Sequence, residues 1–297
     1  MNGRRPSTAR RVLTHAVLIT MTMVAIYPVL WVVSMALTPQ DALSGAPLEG
    51  GGLLATLWSL LPIPQDPTLA NFSHVVSTTA ADGTWLFGHQ LLNSLVVALA
   101  TTVLGIFLAC TAGYALSRYR FPGRRAGLML FLVSQMFPGT MMLIPLYVIM
   151  DAMGLLNQIL GLILVYSTTA IPFCVWMLKG YFDTIPASIE ESAIIDGASP
   201  FTIFWRIILP LARPAIAVTA LFSFMTAWNE FILAATFINK ETSLTLPVTL
   251  NNYVGEYSTQ WGYFAAGAII VSVPVMVLFF ILQKHLVGGL TAGSVKG

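Results

Sequence analysis

Long apolar runs separated by short polar breaks make up most of this chain. Six runs, near 12–37, 91–116, 127–150, 158–180, 212–238 and 263–286, are long enough to cross ~30 Å of hydrocarbon as helices, which takes about 20 residues each. Pro28, Pro138, Pro145, Pro172 and Pro274 fall inside them. A proline in a lipid-embedded helix is tolerated where neighbours satisfy the carbonyl it frees, so kinks are expected rather than ends. Pro138, Pro145, Asp151 and Gly154 crowd the junction of the third and fourth runs, and one span there is expected to be shorter or broken. The pattern predicts an all-α polytopic membrane protein with six transmembrane helices. It divides into an N-terminus (1–11), a first helix (12–37), a long loop (38–90), a five-helix core (91–286) and a tail (287–297).

Composition supports that class. Hydrophobic residues make up 57% of the 297 and charged residues only 9%, against about 25% charged in a soluble domain. Most of the outside must therefore meet the lipid bilayer. The first apolar run follows the basic stretch RRPSTARR, but it is too long for a signal peptide and no small-residue cleavage site follows, so it is read as a retained span. Cys110 and Cys174 sit in apolar runs and read as small buried hydrophobes.

Charge sets the orientation. Arg4, Arg5, Arg10 and Arg11 precede the first span; Arg118, Arg120, Arg124 and Arg125 separate the second from the third. Lys179, Arg206 and Arg213 belong to the connection between the fourth and fifth, and Lys284 and Lys296 to the C-terminal end. Thirteen of fourteen basic residues thus fall on one side, and only Lys240 on the other. The positive-inside rule makes the rich side cytoplasmic, with both termini inside. Asp41, Glu49, Asp66, Asp82, Asp151, Glu241 and Glu256 lie opposite. The long loop 38–90, Pro- and Gly-rich, is either a lid of interfacial helices or a docking segment.

Little in the chain points to catalysis. His15, His74, His89 and His285 are scattered, and none has a Cys, Asp or Glu at metal-ligand spacing. There is no GxxxxGK[ST] to cradle phosphates. Nucleic-acid binding needs a basic face, and the arginines are explained by topology. One acid lies inside an expected span: Glu230, beside Asn229 and Trp228. A carboxylate there must face the interior or a polar cavity. It either lines a route or is hydrogen-bonded between helices, with Asn93 or Ser94 as candidate partners.

The stretch between the fourth and fifth spans, with its punctuated centre at 183–210, reads GYFDTIPASIEESAIIDGASPFTIFWRIILPLARP. Pro186 can open a helix, and Glu190 and Glu191 then fall near its N-terminus, where the helix dipole favours acids. Asp196-Gly197 is a natural end. Ser199 can cap a second helix with Pro200 at its first position. Phe201, Phe204, Trp205 and Ile208 give an apolar stripe. The product is a helix–turn–helix on the cytoplasmic face, suited to a cleft on a soluble partner or lying as an amphipathic element at the interface. On these residues alone a secondary carrier remains the alternative to a partner-driven transporter, with a membrane enzyme behind it.

The same stretch carries a resemblance. Glu191-Ser192-Ala193, then Gly197, then Ile207-Ile208-Leu209-Pro210, keeps the spacing of the EAA motif in membrane subunits of binding-protein-dependent ABC importers, with Ser192 where Ala is usual. YALSRYRFPG, SQMFPG and the closing GLTAGSVKG extend the likeness to the MalG-type permeases of maltose/maltodextrin importers. The resemblance implies an ABC type I importer permease fold in a bacterial inner membrane, with a cytoplasmic coupling helix. It implies a non-catalytic subunit that binds no cofactor, ATP and Mg being held by a homodimer of ATPase subunits. A MalF-like second permease and a periplasmic sugar-binding protein would complete the assembly, with maltose or maltodextrin as cargo. Glu190, Glu191, Ser192, Ala193, Asp196, Gly197, Leu209 and Pro210 would couple to the ATPase, and Gly293 and Lys296 in the tail would reach it. Asn251, Asn252, Tyr253, Gly255 and Glu256 would meet the binding protein. Asn229 and Glu230 are the intramembrane polar pair.

Overall fold

The computed structural model describes residues 8–40, 61–64, 66–255 and 259–292. Arg4, Arg5, Asp41, Glu49, Glu256, Gly293 and Lys296, with the centre of the long loop, lie outside the described residues. Two compact units are present: Met1–Thr78 with Leu250–Ser272, and Thr79–Thr249 with Val273–Gly297.

In the first unit, α1 (Thr8–Leu37) runs unbroken through Pro28, and α2 (Ala70–Val76) follows the long loop. Asn71 ties the two together. Its buried amide donates to the carbonyls of Ala36 (2.9 Å) and Thr38 (2.8 Å), groups that the end of α1 leaves unpaired. Asn71 is therefore a structural pin between the two helices. His74 stacks on Tyr263 with ring centroids 4.0 Å apart.

The second unit is helical throughout: α3 (Leu86–Arg118), α4 (Arg124–Met136), α5 (Leu143–Ala152), α6 (Ile159–Thr184), α7 (Ala187–Ile195), α8 (Pro200–Leu211), α9 (Arg213–Trp228) and α10 (Ile232–Phe237). α11 (Leu246–Asn251) and α12 (Trp261–Ala292) complete the chain, with Pro172 and Pro274 inside continuous helices as expected. Among the described residues four helices, α1, α3, α6 and α12, are long and apolar enough to cross a membrane unaided.

Two expected spans are not single helices. The third, 127–150, is α4 and α5 at 98°. Pro138 ends α4 rather than kinking it, because the residue before a proline is pushed out of the helical region, and Phe137 is extended at φ −75°, ψ 129°. Pro145 falls in the first turn of α5, where a missing N–H costs nothing. The fifth, 212–238, is α9 and α10 with a break at 229–231. At its other end α9 meets α8 at 75°.

Packing centres on α3 against α6, where a small residue sets the spacing. A Cβ on Gly113 would lie 3.1 Å from the Lys179 backbone nitrogen and 3.4 Å from the Val175 carbonyl. Small residues let membrane helices approach this closely. Cys110 and Cys174 are buried and unbridged in the same layer, with Leu178, Phe182 and Ile208 fully enclosed. Gly113→Val should therefore separate the helices, with an overpacking cost of about 1–3 kcal/mol. The check is a lower unfolding temperature in detergent; an unchanged one would mean that α3 and α6 do not need this contact.

The loops of this unit gather at two opposite helix ends. At the basic end, Ser117 Oγ donates to Asp183 (2.7 Å), which also pairs with Lys179, and the Tyr181 hydroxyl donates to the Leu211 carbonyl (3.2 Å). At the other end, Asn93 Nδ2 donates to the carbonyls of Thr242 (2.9 Å) and Leu244 (3.1 Å), and Ser94 Oγ accepts the Leu246 N–H (2.8 Å). Asn157 joins them there, taking the Phe237 carbonyl and the Asn239 N–H. The arginine-rich connections thus share one end, apart from Lys240.

Candidate coupling turn and membrane cavity

α7 begins after Pro186 and ends in a full C-terminal capping motif. The Ala198 N–H reaches the Ala193 carbonyl (2.9 Å) and the Gly197 N–H reaches that of Ile194 (3.0 Å). The motif needs a left-handed residue, which Gly197 supplies at φ +82°. Ser199 then caps α8, its Oγ accepting the Thr202 N–H at 3.2 Å, with Pro200 at the first helical position. Pro210 cannot donate back along α8, and Ile203–Ile208 forms a π-helical turn, with the Leu209 N–H bonded to the Phe204 carbonyl. The wider turn changes the face that is buried. Ile203, Phe204 and Ile208 point into the core, whereas Phe201 and Trp205 of the expected stripe stay exposed.

The tip is apolar and open. Ile195 is 86% exposed, Phe201 71% and Ile194 61%. Glu191, Ser192 and Asp196 are exposed with them, and Ala193 is the one buried residue of α7. Ser192 Oγ donates to the Ser188 carbonyl (2.8 Å), so a hydroxyl in the usual Ala position is satisfied within the helix. Leu209 and Pro210 are half-buried at the far end of α8.

Glu190 turns the other way. Its carboxylate forms an ion pair with Arg118 Nε and accepts the Tyr114 hydroxyl at 2.8 Å. Arg118 also donates to the Ile185 carbonyl (2.9 Å) just ahead of α7. Tyr114 in turn packs against Phe182 and Phe204. The end of α3 thereby holds the base of the turn on the transmembrane core. Sequence reasoning missed this, because Arg118 was explained by topology and Glu190 by the helix dipole. The available signal was that Tyr114 and Arg118 stand four apart, on one face of α3.

Glu230 sits where α9 breaks. One carboxylate oxygen accepts the Leu233 N–H (2.8 Å) and the other the Ala234 N–H (3.1 Å), capping α10. Asn93 and Ser94 are engaged elsewhere, so neither is its partner. The hydroxyl of Tyr166 is buried and has no hydrogen-bond partner among the described residues. Asn229 Nδ2 donates back to the Met225 carbonyl (2.9 Å). Glu230 borders a cavity of about 690 Å³ between the broken helices, lined also by residues of α4, the 139–142 turn and α6.

In the first unit, Asn251 and Asn252 are exposed beside a short bridge between Val254 and Thr259. Tyr253 accepts the Gln260 N–H through its carbonyl (2.8 Å) and packs on Tyr263, and Gly255 is exposed. Among the described residues no three His, Cys, Asp or Glu gather where a metal could bind.

Known proteins give this arrangement a family. Residues 101–291 match the family described as binding-protein-dependent transport system inner membrane component. The galactooligosaccharide transport permease GanQ of Bacillus subtilis is 36% identical over 289 residues, 97% of this chain and 96% of that protein. The maltodextrin transport permease MdxG of the same organism is 36% identical over 298 residues, covering all of both. The fold matches a crystallised bacterial ABC transporter involved in import of the acidic polysaccharide alginate, at a TM-score of 0.73 and 24% identity over 95% of this chain and 99% of that one. With the family match spanning residues 101–291 and relatives aligned end to end, the chain belongs to the family of binding-protein-dependent transport system inner membrane components, and is a non-catalytic, multi-pass permease subunit of an ABC importer.

Proposed function

We propose that this subunit forms half of the membrane path of an ATP-driven oligosaccharide importer and receives the ATPase stroke through the turn at Gly197. The observation that carries this reading is the open apolar tip of Ile194, Ile195 and Phe201 on a base clamped by Arg118 and Glu190. An exposed apolar tip on a rigid stem is built to be covered by a partner, since apolar area left in water is unfavourable. A homodimer of ATPase subunits covers it, a second permease completes the path, and a periplasmic binding protein meets Asn251–Gly255. Gly293 and Lys296 of the tail reach the ATPase as well. Both termini and the Gly197 turn are cytoplasmic, as the charge distribution requires.

The cargo is an oligosaccharide. Equal identity to a galactooligosaccharide permease and a maltodextrin permease supports this wider class over maltose and maltodextrin alone. Purified complex should hydrolyse ATP faster with liganded binding protein, and the sugar giving the largest rise is the substrate; no response to any oligosaccharide would refute the reading. Reporter fusions at Pro64 and Gly255 should read as external and one at Gly123 as cytoplasmic. An external signal at Gly123 would reverse the orientation.

A further inference from the structure

The cavity beside Glu230 lies wholly within the second unit, at the two places where expected spans break. Its volume of about 690 Å³ is that of a small-molecule site, which typically spans about 300–1,000 Å³. The hydrogen-bonding state of its lining is informative. Ser134 Oγ donates to the Phe131 carbonyl (2.8 Å), Thr168 Oγ1 to Val165 (2.7 Å) and Thr169 Oγ1 to Tyr166 (2.8 Å). Each hydroxyl has given its proton to its own helix, and its oxygen is left as an acceptor. Gln135 Nε2 reaches the Thr169 carbonyl at 3.4 Å, which leaves its amide oxygen as an acceptor and its second N–H as a donor. Glu230 adds a carboxylate, and Phe137 an aromatic face. No Lys or Arg is among the described residues that line the cavity.

The polar part of the wall offers more acceptors than donors, the Thr140 hydroxyl and the second Gln135 N–H being its side-chain donors. That suits a ligand rich in hydroxyl groups, and the single carboxylate repels an anionic one. From this lining we infer that the cavity is a sugar-contacting subsite of this subunit, selective for neutral oligosaccharides over uronic-acid oligomers. Sugar hydroxyls supply the donors, and the apolar C–H face of a ring lies on Phe137. The inference rests on the importer reading above and deepens it, because this chain then holds cargo itself rather than only walling the path. It also separates this permease from its structural neighbour, whose transporter takes an acidic polysaccharide.

The test uses the intact purified importer carrying Gln135→Cys or, independently, Thr168→Cys, with Met136→Cys as the control. Met136 is 80% exposed on the same helix and does not line the cavity. The rate of modification by a methanethiosulfonate reagent is measured alone, with a neutral oligosaccharide (maltodextrin and galactooligosaccharide separately), and with an oligouronate of equal length. Modification at 135 and 168 should slow at least threefold with a neutral sugar and stay unchanged with the uronate, and the control should not respond to either. Equal protection by both sugars would overturn the selectivity. No protection at either position, in an importer whose ATP hydrolysis still rises with sugar, would overturn the subsite while leaving the importer reading intact. Loss of the sugar response in the unsubstituted importer would instead refute that reading.

Discussion

Gly197→Asp should leave the permease in the membrane at normal abundance and strip it of its ATPase subunits, with at least a tenfold fall in co-purified ATPase and no measurable sugar uptake. Three features of the turn lead there. At φ +82° a side chain costs about 1 kcal/mol of backbone strain, too little to unfold a helical membrane protein. Within the chain a Cβ at 197 meets nothing within 4 Å, so no internal clash adds to it. The damage must fall on whatever covers the tip, and a packed interface does not absorb new bulk or an unpaired charge cheaply. Gly197→Asn separates the two effects. It has the same shape as Asp and tolerates the left-handed region, and it should retain several-fold more ATPase than Gly197→Asp. Equal retention of ATPase by wild type and Gly197→Asp would mean that nothing binds this turn.

The second large effect is expected at Arg118. Arg118→Ala leaves the Glu190 carboxylate with only Tyr114 and solvent, at a site where the paired side chains are 16% and 13% exposed. Breaking a mostly buried pair by removing one partner costs about 3 kcal/mol. The base of α7 should loosen, lowering the unfolding temperature and reducing uptake more than tenfold. Arg118→Met with Glu190→Met removes both charges and keeps the volume, and it should restore most of the stability. Recovered stability without recovered uptake would show that the ion pair transmits force as well as holding shape. Full uptake in Arg118→Ala alone would show that it does neither.

The legible and illegible parts of the chain divide on physical grounds. Four spans and the capped turn follow from local rules, namely unbroken apolar length, Gly197 as a left-handed stop and Ser199-Pro200 as a start. These need no knowledge of neighbours. The breaks were harder. Pro28, Pro138, Pro172 and Pro274 look alike in sequence, yet of these four only Pro138 ends a helix, and the residue types alone do not separate a proline that a helix absorbs from one that stops it. Glu230 was legible as an intramembrane acid, but its partners are backbone N–H groups three and four residues ahead, and it ends the very helix it was expected to occupy. The Arg118–Glu190 pair joins residues 72 apart, and no periodicity reports on such a contact. Cargo was overread. The motif near the turn and the FPG segments mark the family, and although SQMFPG supplies Ser134, Gln135, Phe137, Pro138 and Gly139 to the cavity wall, no spacing in it names one sugar.

On the proposed function, the Gly197 turn is the surface through which ATP hydrolysis reaches this subunit. A photo-crosslinking side chain in place of Ile195, the most exposed apolar residue of the tip, tests it directly in the assembled importer. The expected result is a dominant crosslink to the ATPase subunit, abolished by Gly197→Asp in the same chain. A crosslink only to lipid or to the second permease, in complexes that still contain the ATPase and still transport sugar, would contradict it.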